Sequence, residues 1–246
     1  MFDTYSKIFA ERGAAYQQAM AECPGARDAE FQAVLEPLNH KPVRLLCDMP
    51  SGGGYLAAHL PTGMRYVGID PSDDFVSACP VGTVCIKAPI TAVPLADGAV
   101  DAVVSLAALH HEPDLPAVFG EMRRLLKSGG RAVICDVESG TPVAAFLNGF
   151  VDEHNPMGHV GIFLDEQTAG KIEAAGFRVV DDHVVDMPWV FDSIQEAGAF
   201  CRQLFWMPEL DAAAVADAMF RQLGFDVIDG RPHLRWALRR IVCDAV

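Results

Sequence analysis

VRLLCDMPSGGGYLAAHLPTGMRYVGID, residues 43–70, contains the pattern that decides the fold. Val43, Leu45, Leu46 and Cys47 form a short apolar run without polar alternation, which is typical of a strand buried in a parallel sheet. Three consecutive glycines, 52–54, then favour a tight turn whose backbone can approach a ligand closely. Residues 55–60 predict a helix, and the apolar run 66–69 predicts a second strand. The stretch is therefore a strand, glycine loop, helix and strand unit.

An acidic residue follows each of these two strands. Asp70 is placed to hydrogen-bond a ribose, as in nucleotide-binding crossover units. Gly52, Gly54 and Ala57 also fit the dinucleotide pattern G-x-G-x-x-A, which alone is a weak signal. Asp48 would repel a pyrophosphate but not a cationic or neutral amino-acid group. The acids therefore favour a nucleoside cofactor other than a dinucleotide.

The phrase D-x-P-S-G-x-G from Asp48, followed by YVGID at 66–70, resembles the first two motifs of class I S-adenosylmethionine-dependent methyltransferases. The resemblance implies that Asp48 and the glycine loop hold the methionine end of S-adenosylmethionine, and that Asp70 binds the ribose hydroxyls. The cofactor-binding residues it implies are Asp48, Pro50, Gly52, Gly54, Tyr55, Asp70, Pro71, Pro89, Ile90 and Leu106.

Two positions depart from the family pattern. Pro50 stands where the family usually has glycine, and a proline offers no N–H to a ligand. Ala88 and Pro89 stand where the family usually carries an acid that reads the adenine amino group. Adenine recognition is then expected from backbone groups around Pro89 and Ile90.

The resemblance continues through the middle of the chain. VDAVVSLAAL, residues 100–109, resembles the family's fourth strand, and LLKSGGR, residues 125–131, resembles the turn into the fifth, 132–137. We therefore predict an α/β fold, a doubly wound Rossmann-like sheet of seven strands. The predicted divisions are a helical N-terminal cap at 1–40 and a methyltransferase domain at 41–246, with insertions at 138–164 and 188–230 as a substrate cover.

The composition of the chain limits the kinds of partner and location to expect. The 246 residues include 33 acidic and 19 basic side chains, a net charge of −14 with no Lys/Arg stripe, which argues against a nucleic acid substrate. No apolar run is long enough to cross a bilayer, and the N-terminus does not resemble a secretory signal. Seven cysteines without C-x-x-C predict free thiols in a reducing cytoplasm and no metal site. We expect a cytoplasmic protein that is a monomer or a homodimer. Its expected partner is a small-molecule substrate, and neither a nucleic acid nor a membrane is expected to bind.

Two adjacent histidines follow the fourth strand, at the end that faces the ligand crevice in open α/β sheets. His111 is the first choice for a general base or a residue that orients the acceptor, and His110 is the second. The alternative is that one of the pair is a buried packing or capping residue.

The insertions supply the predicted substrate-binding residues, which are His154, His159, Phe146, Phe150, Trp189 and Trp206. Aromatic side chains there could wall an apolar pocket or form the core of the cover. His154 and His159, with Asp152 and Glu153, could ligate a divalent metal, but they lie on an irregular segment whose spacing does not support a metal site.

These observations predict methyl transfer from S-adenosylmethionine to a small, partly apolar molecule, at oxygen or carbon rather than nitrogen. Three alternatives stay open at this point. They are a nicotinamide-dependent oxidoreductase, an S-adenosylmethionine-binding enzyme of non-methylating chemistry, and a binding protein with a degenerate cofactor site.

Overall fold

A computed structural model describes residues 5–246, except the side chains of 5–8 and 10. Residues 1–4 of the predicted cap lie outside the described residues. The strands are β1 (Leu45–Asp48), β2 (Arg65–Asp70), β3 (Val84–Lys87), β4 (Val100–Leu106), β5 (Leu126–Asp136), β6 (Phe177–Asp186), β7 (Trp189–Val190), β8 (Phe225–Ile228), β9 (Arg231–Leu234) and β10 (Ala237–Ala245).

Helices connect and cover these strands. They are α1 (Tyr5–Glu22), α2 (Asp28–Leu35), α3 (Asp73–Ala78), α4 (Leu115–Leu125), α5 (Pro142–Ala145), α6 (Asp152–His154), α7 (Thr168–Ala174), α8 (Ile194–Leu204) and α9 (Ala212–Gln222). Shorter turns of 3-10 helix lie at Glu36–Leu38, Tyr55–His59 and Leu109–His111, and a π-helical stretch, Phe146–Val151, joins α5 to α6. Among the helices of the described residues, none is long and apolar enough to span a membrane.

The main sheet has seven strands in the order β3-β2-β1-β4-β5-β10-β6. The first five strands along the chain pair in parallel, and β10 lies antiparallel between β5 and β6. This arrangement confirms the predicted doubly wound, Rossmann-like sheet. The strand order reverses between β1 and β4, and ligands of such sheets bind in the crevice at the carboxyl ends on either side of that reversal.

The sheet is buried on both faces. Adjacent strand residues belong to different clusters: Leu46 and Val104 pack on the side of α2, α8 and α9, and Cys47 and Val103 pack on the side of α4 and α7. Alternation of side chains along a strand makes each buried strand serve both cores, which is why the sequence of β1 reads as one continuous apolar run.

The C-terminal part differs from the predicted arrangement. A second sheet, of order β7-β9-β8, lies in the region predicted as helical cover. Because residues 231–234 pair in this small sheet, the final strand of the main sheet, β10, begins only at Ala237. The predicted helix at 55–60 is a single 3-10 stretch, since Pro61 prevents its continuation. The insertion after β5, predicted as irregular, contains α5, α6 and the π-helical stretch.

The prediction of seven free thiols is wrong. Cys79 and Cys85 form a disulfide, with their Cα atoms 6.5 Å apart, because the chain turns back between the end of α3 and the start of β3. The other five cysteines are free.

Candidate active site

The glycine loop is anchored to the end of β2. Gly52 and Gly54 have φ of +53° and +73°, in the left-handed region that glycine adopts without strain. The Gly52 N–H donates to Asp70 Oδ2 at 2.8 Å, and the Ser72 N–H donates to Asp70 Oδ1 at 2.8 Å. Asp70 is fully buried. It therefore fixes the loop against the turn that begins α3.

Asp48, at the end of β1, is buried and accepts a hydrogen bond from the Tyr66 hydroxyl at 2.9 Å. Burial raises the pKa of Asp48 to about 7; the hydrogen bond from Tyr66 opposes this shift, and the nearby charge of Asp70 adds to it. This carboxyl group is therefore poised to lose its proton when a cation approaches.

A first cavity, of about 60 Å³, lies between the glycine loop and α1. We name it the loop cavity; its lining includes Asp48, Pro50, Ser51, Gly52, Tyr55, Leu56, Phe75, Leu106 and Ala108. Helix α1 covers it: the Phe9 ring lies 4.8 Å from that of Phe75, and the Tyr16 ring lies 5.5 Å from the same ring.

Three histidines meet beyond the end of β4. His110 and His111 lie on the 3-10 turn that follows this strand, and His159 reaches them from the insertion after β5. Ring centroids are 4.2 Å apart for His110 and His111, 5.5 Å for His110 and His159, and 5.1 Å for His111 and His159. All three side chains are buried.

Asp136, the last residue of β5, organises this cluster. Its Oδ1 lies 2.6 Å from His110 Nδ1, and its Oδ2 accepts the backbone N–H groups of Ala108 and Leu109 at 3.0 and 2.7 Å. Oδ1 also accepts the Val137 N–H at 2.7 Å. A carboxylate so placed selects the tautomer with a proton on Nδ1 and leaves the lone pair of His110 on Nε2.

The two other histidines are neutral at physiological pH. Burial lowers the pKa of His111 well below 6.5, and the charge of Arg12, or a proton on His110 or His159, lowers it further. Burial also lowers the pKa of His159 well below 6.5, with His110 and Arg12 contributing in the same direction. Neutral imidazoles keep a lone pair that can accept a proton or a hydrogen bond.

The histidines form one wall of a second cavity, of about 50 Å³. We name it the histidine cavity; its other lining residues include Arg12, Val137, Leu147, Trp189, Leu204, Phe205 and Trp236. Phe9, Tyr16, Arg27 and Ala107 line both cavities, so the two adjoin. Ala107 has φ of +49°, an uncommon conformation for a residue with a side chain, at the junction between them.

The structure brings some predicted residues together and separates others. Asp48, Pro50, Gly52, Tyr55 and Leu106 line the loop cavity, and His110, His111, His159 and Trp189 line the histidine cavity. Among the described residues, the predicted ones outside both cavities are Gly54, Asp70, Pro71, Pro89, Ile90, Phe146, Phe150, His154 and Trp206.

The residues outside the cavities have other contacts. Phe146 is fully buried in the core and stacks on Phe150, whose ring meets His154 at 4.6 Å. The structure separates the two histidines of this insertion: His154 packs on the Phe150 ring, and His159 joins His110 and His111.

Sequence reasoning missed Asp136, Arg12 and Trp236. Asp136 carried a usable signal, because it ends a parallel strand next to β4 and so lies at the same edge of the sheet as the histidines. No sequence signal indicated Arg12 or Trp236. Both reach the histidine cavity from parts of the chain that are distant in sequence from the histidines.

The reversal of strand order at β1 and β4, the glycine loop and the acids after β1 and β2 define a class I methyltransferase fold. Residues 47–134 match the family described as "Methyltransferase domain". An uncharacterized methyltransferase of Mycobacterium sp. (strain KMS) is 37% identical over 95 residues, which span 37% of this chain and only 38% of that relative. The family match spans residues 47–134 only, and the chain resembles the class I S-adenosylmethionine-dependent methyltransferases in its motifs and in its fold.

Solved structures agree with this fold over nearly the whole chain. A SAM-dependent methyltransferase from Thermotoga maritima has a TM-score of 0.65 at 16% identity and covers 98% of this chain and 99% of that one. The [4+2]-cyclase SpnF has a TM-score of 0.64 at 18% identity and covers 98% of this chain and 96% of that one. At such identities the likeness establishes the fold alone.

Proposed function

We propose that this protein transfers a methyl group from S-adenosylmethionine to a small, partly apolar molecule, at an oxygen or an acidic carbon. The observation that carries the proposal is the adjacency of the loop cavity and the histidine cavity, which share a wall at Phe9, Tyr16, Arg27 and Ala107. One cavity suits the donor and the other suits the acceptor, so that the two reactants meet at the common wall.

The loop cavity offers groups that fit the methionine end of the cofactor. Asp48 would pair with its ammonium group, and an added Cβ at Gly52 would meet nothing within 4 Å, so the backbone there is open to a ligand. S-adenosylmethionine, when bound, supplies an activated methyl group on a sulfonium. The residues present therefore fit the cofactor.

Space in the loop cavity is limited. About 60 Å³ is far below the roughly 300–1,000 Å³ of typical ligand pockets. Helix α1 covers the cavity through Phe9 and Tyr16, so it must move for the cofactor to enter. Such a movement would also uncover the neighbourhood of Asp70, and we propose that its carboxylate then meets the ribose.

The histidine cavity suits an acceptor with one polar group on an apolar body. Trp189 and Trp236 stack with ring centroids 4.2 Å apart, and their indole nitrogens are buried without hydrogen-bond partners among the described residues. His110 is the residue we assign to take the acceptor's proton, because Asp136 orients it and stabilises the imidazolium that forms. His111, which the sequence favoured for this role, has its Nε2 3.4 Å from Arg12 Nη2, and this guanidinium lowers the pKa of the ring and so opposes its protonation.

The remaining expectations on partners and location stay predictions. The net charge of −14 supports a small-molecule partner over a nucleic acid. A cytoplasmic location and a monomeric or homodimeric state rest on sequence alone, and the Cys79–Cys85 disulfide weakens the argument for a reducing compartment.

Calorimetric titration of the full chain with S-adenosylmethionine, S-adenosylhomocysteine and NADH tests the cofactor assignment. Micromolar binding of the first two ligands, without binding of NADH, supports the proposal. Binding of NADH alone would favour an oxidoreductase, and binding of none would favour a degenerate site. Formation of S-adenosylhomocysteine with phenol, enol and carboxylate acceptors then distinguishes methyl transfer from non-methylating chemistry.

A further inference from the structure

We propose that His110, His111 and His159 bind a divalent transition-metal cation of the zinc type, with an open coordination position toward the histidine cavity. One ring nitrogen of each residue lies within 4.8 Å of the corresponding nitrogen of the other two. Three neutral imidazoles with one position left open are a ligand set of catalytic zinc sites.

Hydrogen bonds already orient two of the three rings. His110 Nδ1 is bound to Asp136 Oδ1 at 2.6 Å, and His159 Nδ1 lies 3.1 Å from Asn148 Oδ1. With the proton on Nδ1, each ring presents Nε2 as a ligand atom. Oxygen partners on the second nitrogen are the usual support of metal-bound histidines, because they fix both the tautomer and the orientation of the ring.

Two of the ligands lie on a rigid part of the fold. His110 and His111 are on the 3-10 turn at the end of β4, and the carboxylate of Asp136 holds the backbone of this turn through Ala108 and Leu109. The backbone N–H of His159 donates to Asp152 Oδ1 at 2.6 Å, and this hydrogen bond fixes the turn that precedes His159. Zinc–nitrogen bonds of 2.0–2.1 Å place tetrahedral ligand atoms about 3.3 Å apart, so modest rotations of the rings would close the site.

Arg12 is the cation that a metal ion would displace. Its Nη2 lies 3.4 Å from His111 Nε2, at the long limit of a hydrogen bond. Arg12 is on α1, the helix that we expect to move when the cofactor enters. Binding of the metal and displacement of α1 are therefore compatible, and removal of the guanidinium should strengthen metal binding.

The open position faces Leu147, Trp189 and Phe205, the apolar wall of the cavity. An oxygen of the acceptor bound there would lose its proton more readily, because the cation lowers its pKa. In that state His110 Nε2 is a ligand, and the cation takes over the role assigned to His110 in the metal-free enzyme. Metal binding itself does not depend on the proposed methyl transfer, whereas this use of the metal does.

The test uses the full chain, without a histidine tag and treated with a chelator, titrated with Zn²⁺ by calorimetry and with Co²⁺ by visible absorption. One ion per chain is expected, with the Co²⁺ spectrum of a four-coordinate site of three nitrogens and one solvent oxygen. His159→Ala and His110→Gln should each weaken binding at least tenfold, and Arg12→Leu should tighten it. No binding by the parent chain would overturn the proposal.

His154→Ala is the matched control for the ligand variants, since His154 lies in the same insertion but packs on Phe150. Cys23→Ser controls for a thiol site, because Cys23 is the free cysteine that is not fully buried. Loss of binding in either control equal to that in His159→Ala would refute the site. Thermal melting and titration with S-adenosylhomocysteine check that each variant is folded, and cofactor binding by metal-free protein separates failure of the metal site from failure of the proposed function.

Discussion

Asp136 Oδ1 lies 2.6 Å from His110 Nδ1, in a buried pair that joins the end of β5 to the turn after β4. The other oxygen of the carboxylate accepts the N–H groups of Ala108 and Leu109 from this turn. One side chain thus sets both the backbone of the turn and the tautomer of the histidine. The pair connects the strand order of the sheet to the proposed chemistry of the acceptor site.

Asp136→Asn should lower the turnover of methyl transfer about 100-fold, within the range for loss of a general base. The amide cannot accept hydrogen bonds at both of its ends, so either His110 changes tautomer or the turn after β4 loses a partner. If the turn after β4 loses a hydrogen-bond partner, the free energy of unfolding should fall by about 1–3 kcal/mol. Affinity for S-adenosylhomocysteine should change much less than turnover, because Asp136 does not line the loop cavity and reaches it through the N–H of Ala108.

Steady-state kinetics and calorimetry of the same preparation provide the comparison, and Glu209→Gln, at an exposed position, is the control for a simple change of charge. Equal turnover in Asp136→Asn and parent would remove Asp136 from the mechanism. Parallel loss of turnover and cofactor affinity would instead indicate a general structural role.

Asp48 should make the cofactor-free protein less stable as the pH rises. Its pKa is about 7 in the folded protein against 3.8 as the ordinary value, so the folded state holds more protons between these limits. The free energy of unfolding therefore falls as the pH rises from 3.8 to about 7. Above about pH 7 the carboxylate is charged in the folded protein, and the full cost of burying that charge is present. Asp48→Asn, which remains neutral and can still accept from Tyr66, should be more stable than the parent at high pH by about 1–4 kcal/mol.

Denaturant unfolding at several pH values measures this difference, which should vanish toward pH 4. Asp74→Asn, at an exposed position, should show no such dependence. If the parent is more stable than Asp48→Asn at high pH, hydrogen bonds to the buried carboxylate outweigh the cost of burying its charge, and the prediction is wrong.

Cofactor binding should release a proton from the same residue. An ammonium group beside Asp48 favours the carboxylate, so the affinity for S-adenosylmethionine should rise with pH and level off above about 7. Calorimetry in two buffers of different ionisation enthalpy measures the number of protons released. Release approaching one proton below pH 7 is expected in the parent, and none in Asp48→Asn. No release in the parent would place the ammonium group elsewhere.

The cofactor side of the fold could be predicted from sequence because its signals are local. Residues 43–70 contain two strands, their terminal acids and the glycine loop, and the structure keeps all of these in β1, β2 and the turn between them. Short apolar runs bounded by glycine and proline leave few alternatives for such a unit. The family resemblance added the positions of the later strands.

The acceptor side could not be predicted in the same way. His159 contacts His110 and His111 because the helical segment after β5 folds back over the sheet. The spacing of these residues along the chain does not predict that contact. Strand β7 has two residues, too few for a periodic signal, and pairs with β9 more than forty residues later. The disulfide was missed for another reason: cysteine count and spacing favoured free thiols, whereas the turn between α3 and β3 brings Cys79 and Cys85 together.

Gly52→Ala should impair cofactor binding more than it impairs folding. A Cβ at Gly52 would meet nothing within 4 Å in the cofactor-free protein, so its effect on stability is limited to the φ of +53°. For a residue with a side chain, this left-handed conformation costs about 1–2 kcal/mol. If the methionine end of the cofactor lies against this backbone, the new methyl group occupies its place, and the affinity for S-adenosylhomocysteine should fall at least tenfold.

Gly63→Ala is the matched control, because Gly63 also has positive φ, +92°, and open space around an added Cβ, but lies outside the loop cavity. Both variants should lose similar stability in denaturant unfolding, and only Gly52→Ala should lose affinity in calorimetry. Equal affinities in the two variants would mean that the cofactor does not approach Gly52, and the donor site would then have to lie away from the glycine loop.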